Sequence, residues 1–203
     1  MCASLATLTA AHAAPSHSKS PALRCTFDGL QPVLLTISGP GVQPNRTGLD
    51  PKRDIMLAAQ GHQFDAAWVC GRDAINSLPQ TSMDSAIEYD DQRHELRGPL
   101  LETVLQASGL DISKALAENH WITLQAIDGY RVQMPLTQAL RWRYLLATQM
   151  DGQALPLGGL GPLWAMFDPQ TLSKSDASSD KKPFTQAAWG LYYIRISAEQ
   201  PKA

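Results

Sequence analysis

Short apolar runs and alternating apolar and polar positions predict β-strands along most of the chain. Residues 33–38 (VLLTIS) are apolar and β-branched and end at Gly39-Pro40, which predicts a strand followed by a turn. Residues 189–197 (WGLYYIRIS) alternate and predict a closing strand. Further strands are predicted for residues 81–89, 121–127, 130–134 and 163–167.

Two Asp-Gly pairs predict tight turns between apolar segments. Asp128-Gly129 joins residues 121–127 to residues 130–134, and Asp-Gly between two such runs is a strong short-range signal for a hairpin. Asp151-Gly152 follows the apolar segment 144–150 and predicts a second turn. Tight turns of this kind favour antiparallel neighbours in the sheet.

Helical spacing of apolar residues is confined to short segments. Residues 99–108 predict the clearest helix, with Pro99 in its first turn, an apolar face and Gly109 as its stop. Apolar residues also recur at helical spacing across residues 64–78, which predicts a short helix. Residues 137–142 predict a helical turn.

The remaining long segments predict loops. Residues 40–62 show no clear period, and residues 170–183 (QTLSKSDASSDKKP) are rich in Ser, Lys and Asp. Together, these strands, helices and loops predict an α+β domain with a mainly antiparallel or mixed β-sheet and few short helices. A chain of 203 residues corresponds to one domain.

The composition argues against two classes of protein, those that bind nucleic acid and those that span a membrane. The formal net charge is −2 with acidic and basic residues interspersed, so the chain lacks the basic excess of a nucleic-acid-binding protein. After residue 16 the sequence contains no run approaching the ~20 apolar residues that cross a membrane. We therefore expect a domain that neither binds nucleic acid nor spans a membrane.

The N-terminal segment resembles the end of a secretory signal peptide. Residues 1–13 are rich in alanine and end in the small-x-small tripeptide Ala11-His12-Ala13, which predicts cleavage near Ala13. The alternative is an Ala-rich tail without a targeting role. We predict a signal-peptide remnant followed by a polar lead-in, a domain and a short tail, at residues 1–13, 14–32, 33–197 and 198–203. The expected location is the periplasm or the extracellular space.

Removal of that segment leaves two cysteines, Cys25 and Cys70. An even cysteine count in an exported protein indicates a disulfide, and a loop of this length would contribute roughly 4 kcal/mol in the chain-entropy model. Two unrelated buried thiols are the alternative. We predict a Cys25–Cys70 disulfide.

Four sequence fragments resemble the molybdopterin-binding domain of sulfite-oxidase-type enzymes, in the order and spacing of that family. They are Leu96-Arg97-Gly98-Pro99-Leu100-Leu101 with Val104-Leu105, Ala126-Ile127-Asp128-Gly129-Tyr130, Leu146-Ala147 with Asp151-Gly152 and Leu155, and Gly161-Pro162-Leu163 with Pro169 and Trp189. Each fragment is weak alone, but their combined order covers about residues 33–197. The resemblance implies the sulfite-oxidase molybdopterin-domain fold.

The sequence departs from this family where the cofactor is bound. In the family a cysteine thiolate binds molybdenum, and basic side chains hold the pterin phosphate. The interval that would carry the cysteine, residues 78–96, contains none, and Cys70 precedes it. Trp164 and Ala188 stand where the family has Arg and Lys. The resemblance therefore implies a domain that has lost contacts to the cofactor.

The basic residues near the expected pocket are candidate ligand contacts. His94, Arg93 and Arg97 lie in the segment where the family builds its cofactor pocket, and Arg141 and Arg143 flank Trp142. These five side chains are the candidates for a remnant cofactor-binding pocket, and no catalytic or metal-binding residue is assigned.

The expected function is binding. The resemblance, with its departures, implies an exported sulfite-oxidase-fold domain without molybdenum–thiolate catalysis, which binds a small anionic ligand or a partner such as a membrane sensor protein. No cofactor is expected. The alternative is an enzyme, a molybdopterin-dependent oxidoreductase that holds its cofactor without a cysteine.

Overall fold

Strands dominate the computed structural model, which describes residues 30–90, 92–172 and 183–201. In chain order the strands are β1 (Leu35–Ser38), β2 (Arg46–Thr47), β3 (Ala66–Cys70), β4 (Gln80–Ala86), β5 (Arg93–Pro99), β6 (Trp121–Ala126), β7 (Arg131–Pro135), β8 (Leu145–Ala147), β9 (Gln149–Met150), β10 (Gln153–Ala154), β11 (Trp164–Met166), β12 (Ala188–Trp189) and β13 (Leu191–Ser197). The α-helices are α1 (Ile55–Ala59), α2 (Arg72–Ser77), α3 (Leu101–Ala107), α4 (Ile112–Ala117) and α5 (Leu136–Arg141). Two short 3₁₀ helices span Pro169–Thr171 and Pro183–Gln186.

The central sheet joins sequence-distant strands in the order β2-β3-β1-β13-β6-β7. Strands β1 and β13 are parallel, with Ile37 opposite Ile194, and the other neighbours in this sheet are antiparallel. The Ser38 hydroxyl and the Tyr193 hydroxyl are hydrogen-bonded at 2.5 Å, which fixes the register between these two strands by a side-chain contact as well.

Two smaller sheets pack beside the central one. One has the order β10-β9-β5-β4 and the other has the order β12-β11-β8. They meet where β5 crosses β8, since Leu100 bridges Leu145 and the Thr148 amide donates to the Arg97 carbonyl at 2.8 Å. At this crossing a Cβ on Gly98 would lie 2.0 Å from the Leu146 carbonyl oxygen, so the close approach requires glycine.

The helices cover the core with short apolar faces. In α3, Leu101, Val104 and Leu105 are all buried, as the apolar spacing predicts. Next to this helix an aromatic cluster brings Phe167 within 4.9 Å of Trp142 and 5.0 Å of Tyr144, measured between ring centroids. Because Trp142 is buried in this cluster, its ring is not available for stacking on a ligand.

The α+β class with mainly antiparallel and mixed sheets and few short helices is confirmed. The hairpin at Asp128-Gly129 is also confirmed, because it joins β6 to β7. The turn at Asp151-Gly152 joins β9 to β10. Residues 189–197 form β12 and β13, which are separated by Gly190.

Three sequence-based predictions are wrong in part. Residues 64–78 were expected to form one helix, but β3 occupies their centre and only α2 is helical. Strand β3 lies inside the central sheet and is buried on successive residues, so it lacks the alternation that marks a half-exposed strand. Residues 40–62 contain β2 and α1 and are not irregular throughout, and Pro99 ends β5 rather than opening α3.

Several predictions fall on residues outside the described ranges. The cleavage site near Ala13, Cys25 and most of the loop 170–183 belong to this group. Cys70 is described and lies buried at the end of β3. The signal peptide, the disulfide and the domain limits therefore stay predictions.

Within the described residues, none of the helices has the length and hydropathy needed to cross a bilayer.

Candidate functional site

A cavity of about 290 Å³ opens beside the β11–β12 pair and the β6–β7 hairpin. Its aromatic lining consists of Tyr89, Tyr130, Trp164, Phe184 and Trp189. Glu88 and Asp128 add two carboxylates, and the described lining includes no Lys, Arg or His. A concave aromatic wall with a few converging polar groups is the usual form of a small-molecule site.

Two indole rings enter the cavity from neighbouring strands. Trp164 on β11 is directly opposite Trp189 on β12, and residues directly opposite each other project from the same face of a sheet. Trp164 is 2% exposed and belongs to the core, whereas Trp189 is 39% exposed and faces the opening. The pair therefore connects the interior of the domain to its surface.

The β6–β7 hairpin supplies a second wall. Gly129 has a φ of 90°, which the tight Asp-Gly turn requires. The Asp128 carboxylate accepts a hydrogen bond from the Tyr130 amide at 2.9 Å, and the Tyr130 hydroxyl donates to the Thr185 carbonyl. These contacts hold Tyr130 and Asp128 at the cavity edge.

The two acidic residues of the described lining influence its tyrosines. Partial burial and the charge of Glu88 raise the pKa of Tyr89 above its usual value of 10.0. Partial burial, Glu88 and Asp128 raise the pKa of Tyr130 in the same way. Both phenols are therefore neutral near pH 7, and the net charge of the described lining comes from the two carboxylates.

His94 lies outside this cavity and is held between two carboxylates. On β5, its Nδ1 donates to Asp151 at 2.5 Å and its Nε2 donates to Asp90 at 2.9 Å. Hydrogen bonds from both ring nitrogens require the protonated imidazolium. The hydrogen bonds to Asp151 and then Asp90 accordingly raise the pKa of His94. The hydrogen bond with His94 is the largest cause that lowers the pKa of Asp151, whereas the pKa of Asp90 is lowered first by the Gln92 amide and then by His94.

The four arginine candidates occupy separate places. Arg93 contacts Asp84, with 3.2 Å between Nε and the carboxylate, and lies 4.0 Å from Asp168. Arg97 is exposed further along β5, opposite Ser82 and Gln149.

Arg141 and Arg143 are exposed at the end of α5. Arg143 lines a small cleft with Leu100 and Leu101, which follow the far end of β5. At about 3.3 Å per residue, that end lies roughly 20 Å from Arg93. Arg93 and His94 are consecutive residues of β5, so their side chains project from opposite faces of the sheet, and Arg143 lies elsewhere. A cofactor-binding role for the five residues stays a prediction.

The structure assembles no metal centre from the described residues. No three His, Cys, Asp or Glu side chains of residues 30–90, 92–172 and 183–201 converge on one point. The trio of His94, Asp90 and Asp151 fails for a geometric reason, because each carboxylate contacts a different ring nitrogen.

Sequence reasoning missed the cavity itself. Glu88 and Tyr89 belong to the strand that the sequence predicts over residues 81–89, and Asp128 belongs to a predicted turn, so neither segment signals a site. The five aromatic residues and two acids of the lining are spread along the sequence from residue 88 to residue 189. Their convergence depends on the pairing of β11 with β12, which no local pattern reveals.

The pH dependence of stability tests the contacts of His94. Its pKa is raised above 6.5 in the folded state, so the stabilisation is full below about pH 6.5 and is lost as the pH rises through the folded pKa. We expect the thermal midpoint of the wild type to decline above pH 6.5. In His94→Gln the part of this decline that comes from His94 is expected to be absent. Thermal unfolding of both proteins from pH 5.5 to 9 measures it. If the thermal midpoints of the two proteins changed with pH in parallel, the prediction would be wrong.

Comparison with known proteins shows a distant likeness in fold. The chain is similar to the sulfane dehydrogenase SoxCD from Paracoccus pantotrophus, with a TM-score of 0.52 and 13% sequence identity. The similarity covers 83% of this chain and 39% of that chain, so this chain spans well under half of its length. No family model and no curated protein match the chain. The likeness concerns the fold, and it gives partial support to the resemblance seen in the sequence.

Proposed function

We propose that the chain is an exported sulfite-oxidase-fold domain that acts as a ligand- or partner-binding module and does not carry out molybdenum–thiolate redox chemistry. The observation that carries this proposal is the lining of the cavity at Trp164. The resemblance places the basic partners of the pterin phosphate at Trp164 and Ala188, next to this cavity.

The cavity does not fit an anionic cofactor. A pterin phosphate would face Glu88 and Asp128, and the described lining offers no cationic side chain to oppose its charge. An anion that is removed from water without a partner is strongly disfavoured. Trp164 also places a bulky indole where the resemblance expects a guanidinium.

The segment that would hold the metal is equally unsuited to it. Residues 78–96 contain no cysteine, and three oxygen-bearing side chains of β4 already have protein partners. Ser82 donates to Glu95 at 2.7 Å, Asp84 pairs with Arg93, and Ser85 is buried and donates to the Ala86 carbonyl at 3.1 Å. Cys70 does not belong to the described lining of the cavity.

The second candidate is a molybdopterin-dependent oxidoreductase that lacks the cysteine ligand. The fold similarity to a sulfane dehydrogenase favours it, because that protein is named as a redox enzyme. Fold alone does not carry an activity from one protein to another, since activity depends on the residues of the site. The two candidates differ in what the purified protein would contain.

Metal content distinguishes them. We expect protein exported from a host that makes the cofactor to contain far less than one molybdenum per chain, because both the thiolate and the phosphate partners are missing. Elemental analysis, with pterin fluorescence after denaturation, is the measurement, and a sulfite-oxidase-type enzyme made in the same host is the control. One molybdenum per chain would establish the oxidoreductase instead.

A further inference from the structure

The aromatic cavity carries an inference about its ligand. We propose that it binds a small organic cation of the methylated ammonium class from solution. This inference rests on the proposed function as a ligand-binding module and names the chemistry of that ligand. Three observations support it: the charge of the lining, the type of its side chains and its size.

The charge of the lining selects the sign of the ligand. Among the described lining residues the acidic side chains are those of Glu88 and Asp128, and no Lys, Arg or His accompanies them. They lie on different segments, the β4–β5 turn and the β6–β7 hairpin, and the cavity is the place where they meet. The pKa of the Tyr130 phenol is raised by partial burial and then by the charges of Glu88 and Asp128, so both carboxylates lie close enough to act on one lining residue. A cation is attracted by these carboxylates and an anion is repelled.

The aromatic lining selects a soft, weakly hydrated cation. The faces of Trp and Tyr rings attract cations, and cages of such rings recognise quaternary ammonium groups. A metal ion would require several oxygen ligands that converge at one point, and the described residues provide no such group. A methylated ammonium instead buries its methyl groups against the rings and directs its charge towards the carboxylates.

The walls of the cavity are held in place before a ligand arrives. The Tyr130 hydroxyl is bonded to the Thr185 carbonyl, and the buried Tyr144 donates to the Gln186 carbonyl at 2.5 Å. These two bonds anchor the segment that contributes Phe184. A volume of about 290 Å³ is at the small end of ligand sites, which fits a compact headgroup.

Choline is the probe of choice for this cavity. It carries a trimethylammonium group on a short chain, so it offers the methylated headgroup that aromatic rings attract. It has no anionic group that Glu88 and Asp128 would repel.

Calorimetric titration of the full chain with choline chloride tests the inference. We expect saturable binding with a dissociation constant on the order of 1 mM or tighter, and at least about tenfold weaker binding of 3,3-dimethylbutan-1-ol, the neutral carbon isostere. Potassium chloride at the same ionic strength is the salt control. Betaine, which adds a carboxylate to the same headgroup, is expected to bind more weakly than choline.

Variants connect the binding to the cavity. Glu88→Gln and Asp128→Asn remove one charge each with little change in shape, and Asn-Gly preserves the hairpin turn. Trp189→Leu removes an exposed ring. Each is expected to weaken choline binding about 3- to 10-fold. Glu199→Gln and Trp121→Leu are the matched controls, since both residues lie outside the lining, and they are expected to leave it unchanged.

The cation site and the proposed function are tested by different measurements. Equal binding of choline and its neutral isostere, or unchanged affinity in the two charge variants, would overturn the cation site. Binding to phosphatidylcholine vesicles without any response to free choline would also overturn it. Molybdenum measured in the same preparation decides the proposed function independently, because neither titration depends on metal content.

Discussion

Replacement of Phe167 by alanine is expected to lower the free energy of unfolding by about 3 to 5 kcal/mol. Phe167 is 0% exposed and packs against both Trp142 and Tyr144, with ring centroids 4.9 and 5.0 Å away. The loss combines the transfer of a whole ring to water, the cavity left behind and the aromatic contacts. Urea denaturation of wild type and variant measures it as a lower midpoint with an unchanged slope.

Phe167→Leu is the matched control for this prediction. It keeps most of the apolar volume and is expected to cost no more than about 2 kcal/mol. Equal losses in the two variants would mean that ring volume at this position is unimportant. Since Tyr144 anchors the Gln186 carbonyl, the alanine variant is also expected to loosen the segment that contributes Phe184 to the cavity.

Replacement of Gly98 by alanine is expected to be comparably severe, with a loss of about 3 kcal/mol or more. An added Cβ would lie 2.0 Å from the Leu146 carbonyl oxygen and 2.9 Å from the Ala147 Cα. Both are backbone atoms of β8, so relief requires that β5 and β8 separate. Denaturant unfolding and near-ultraviolet circular dichroism are the measurements.

Gly129→Ala separates steric exclusion from backbone strain. Gly129 has a φ of 90° but no atom within 4 Å of an added Cβ, so alanine there is expected to cost only about 1 to 2 kcal/mol. A larger loss at Gly129 than at Gly98 would refute the account of the strand crossing. The two variants share the same chemical change, which makes the comparison direct.

The sequence predicts those parts of the fold that are encoded locally. The Asp128-Gly129 turn and the apolar face of α3 each depend on residues within one segment. Strand β13 forms where it is predicted, but its first four residues are all buried, so its burial alternates only over the last residues. Helix α4 went unnoticed, although Asp111 accepts a hydrogen bond from the Lys114 amide as a helix N-cap does. Strand β3 was misassigned because full burial removes the pattern on which the prediction depends.

The candidate site could be predicted only in part, because it depends on tertiary pairing. The sequence singles out Trp164 and Ala188 as departures from the family pattern, and the cavity forms beside them. It does not reveal that Glu88 and Asp128 both line the cavity, since they are 40 positions apart and two strands and two helices lie between them. His94 was singled out for its basic neighbours, whereas its contacts are two carboxylates from Asp90 and Asp151.

The parallel pairing of β1 with β13 has a consequence for how the chain folds. Ser38 and Tyr193, which join these strands, are 155 positions apart in the sequence. The central sheet cannot be completed until residues 191–197 have left the ribosome. Pairing of β1 with β13 also requires closure of a very long loop, which slows the formation of this contact. The chain is therefore expected to refold slowly for its size. Until β13 pairs with it, one edge of β1 stays open to binding by a chaperone.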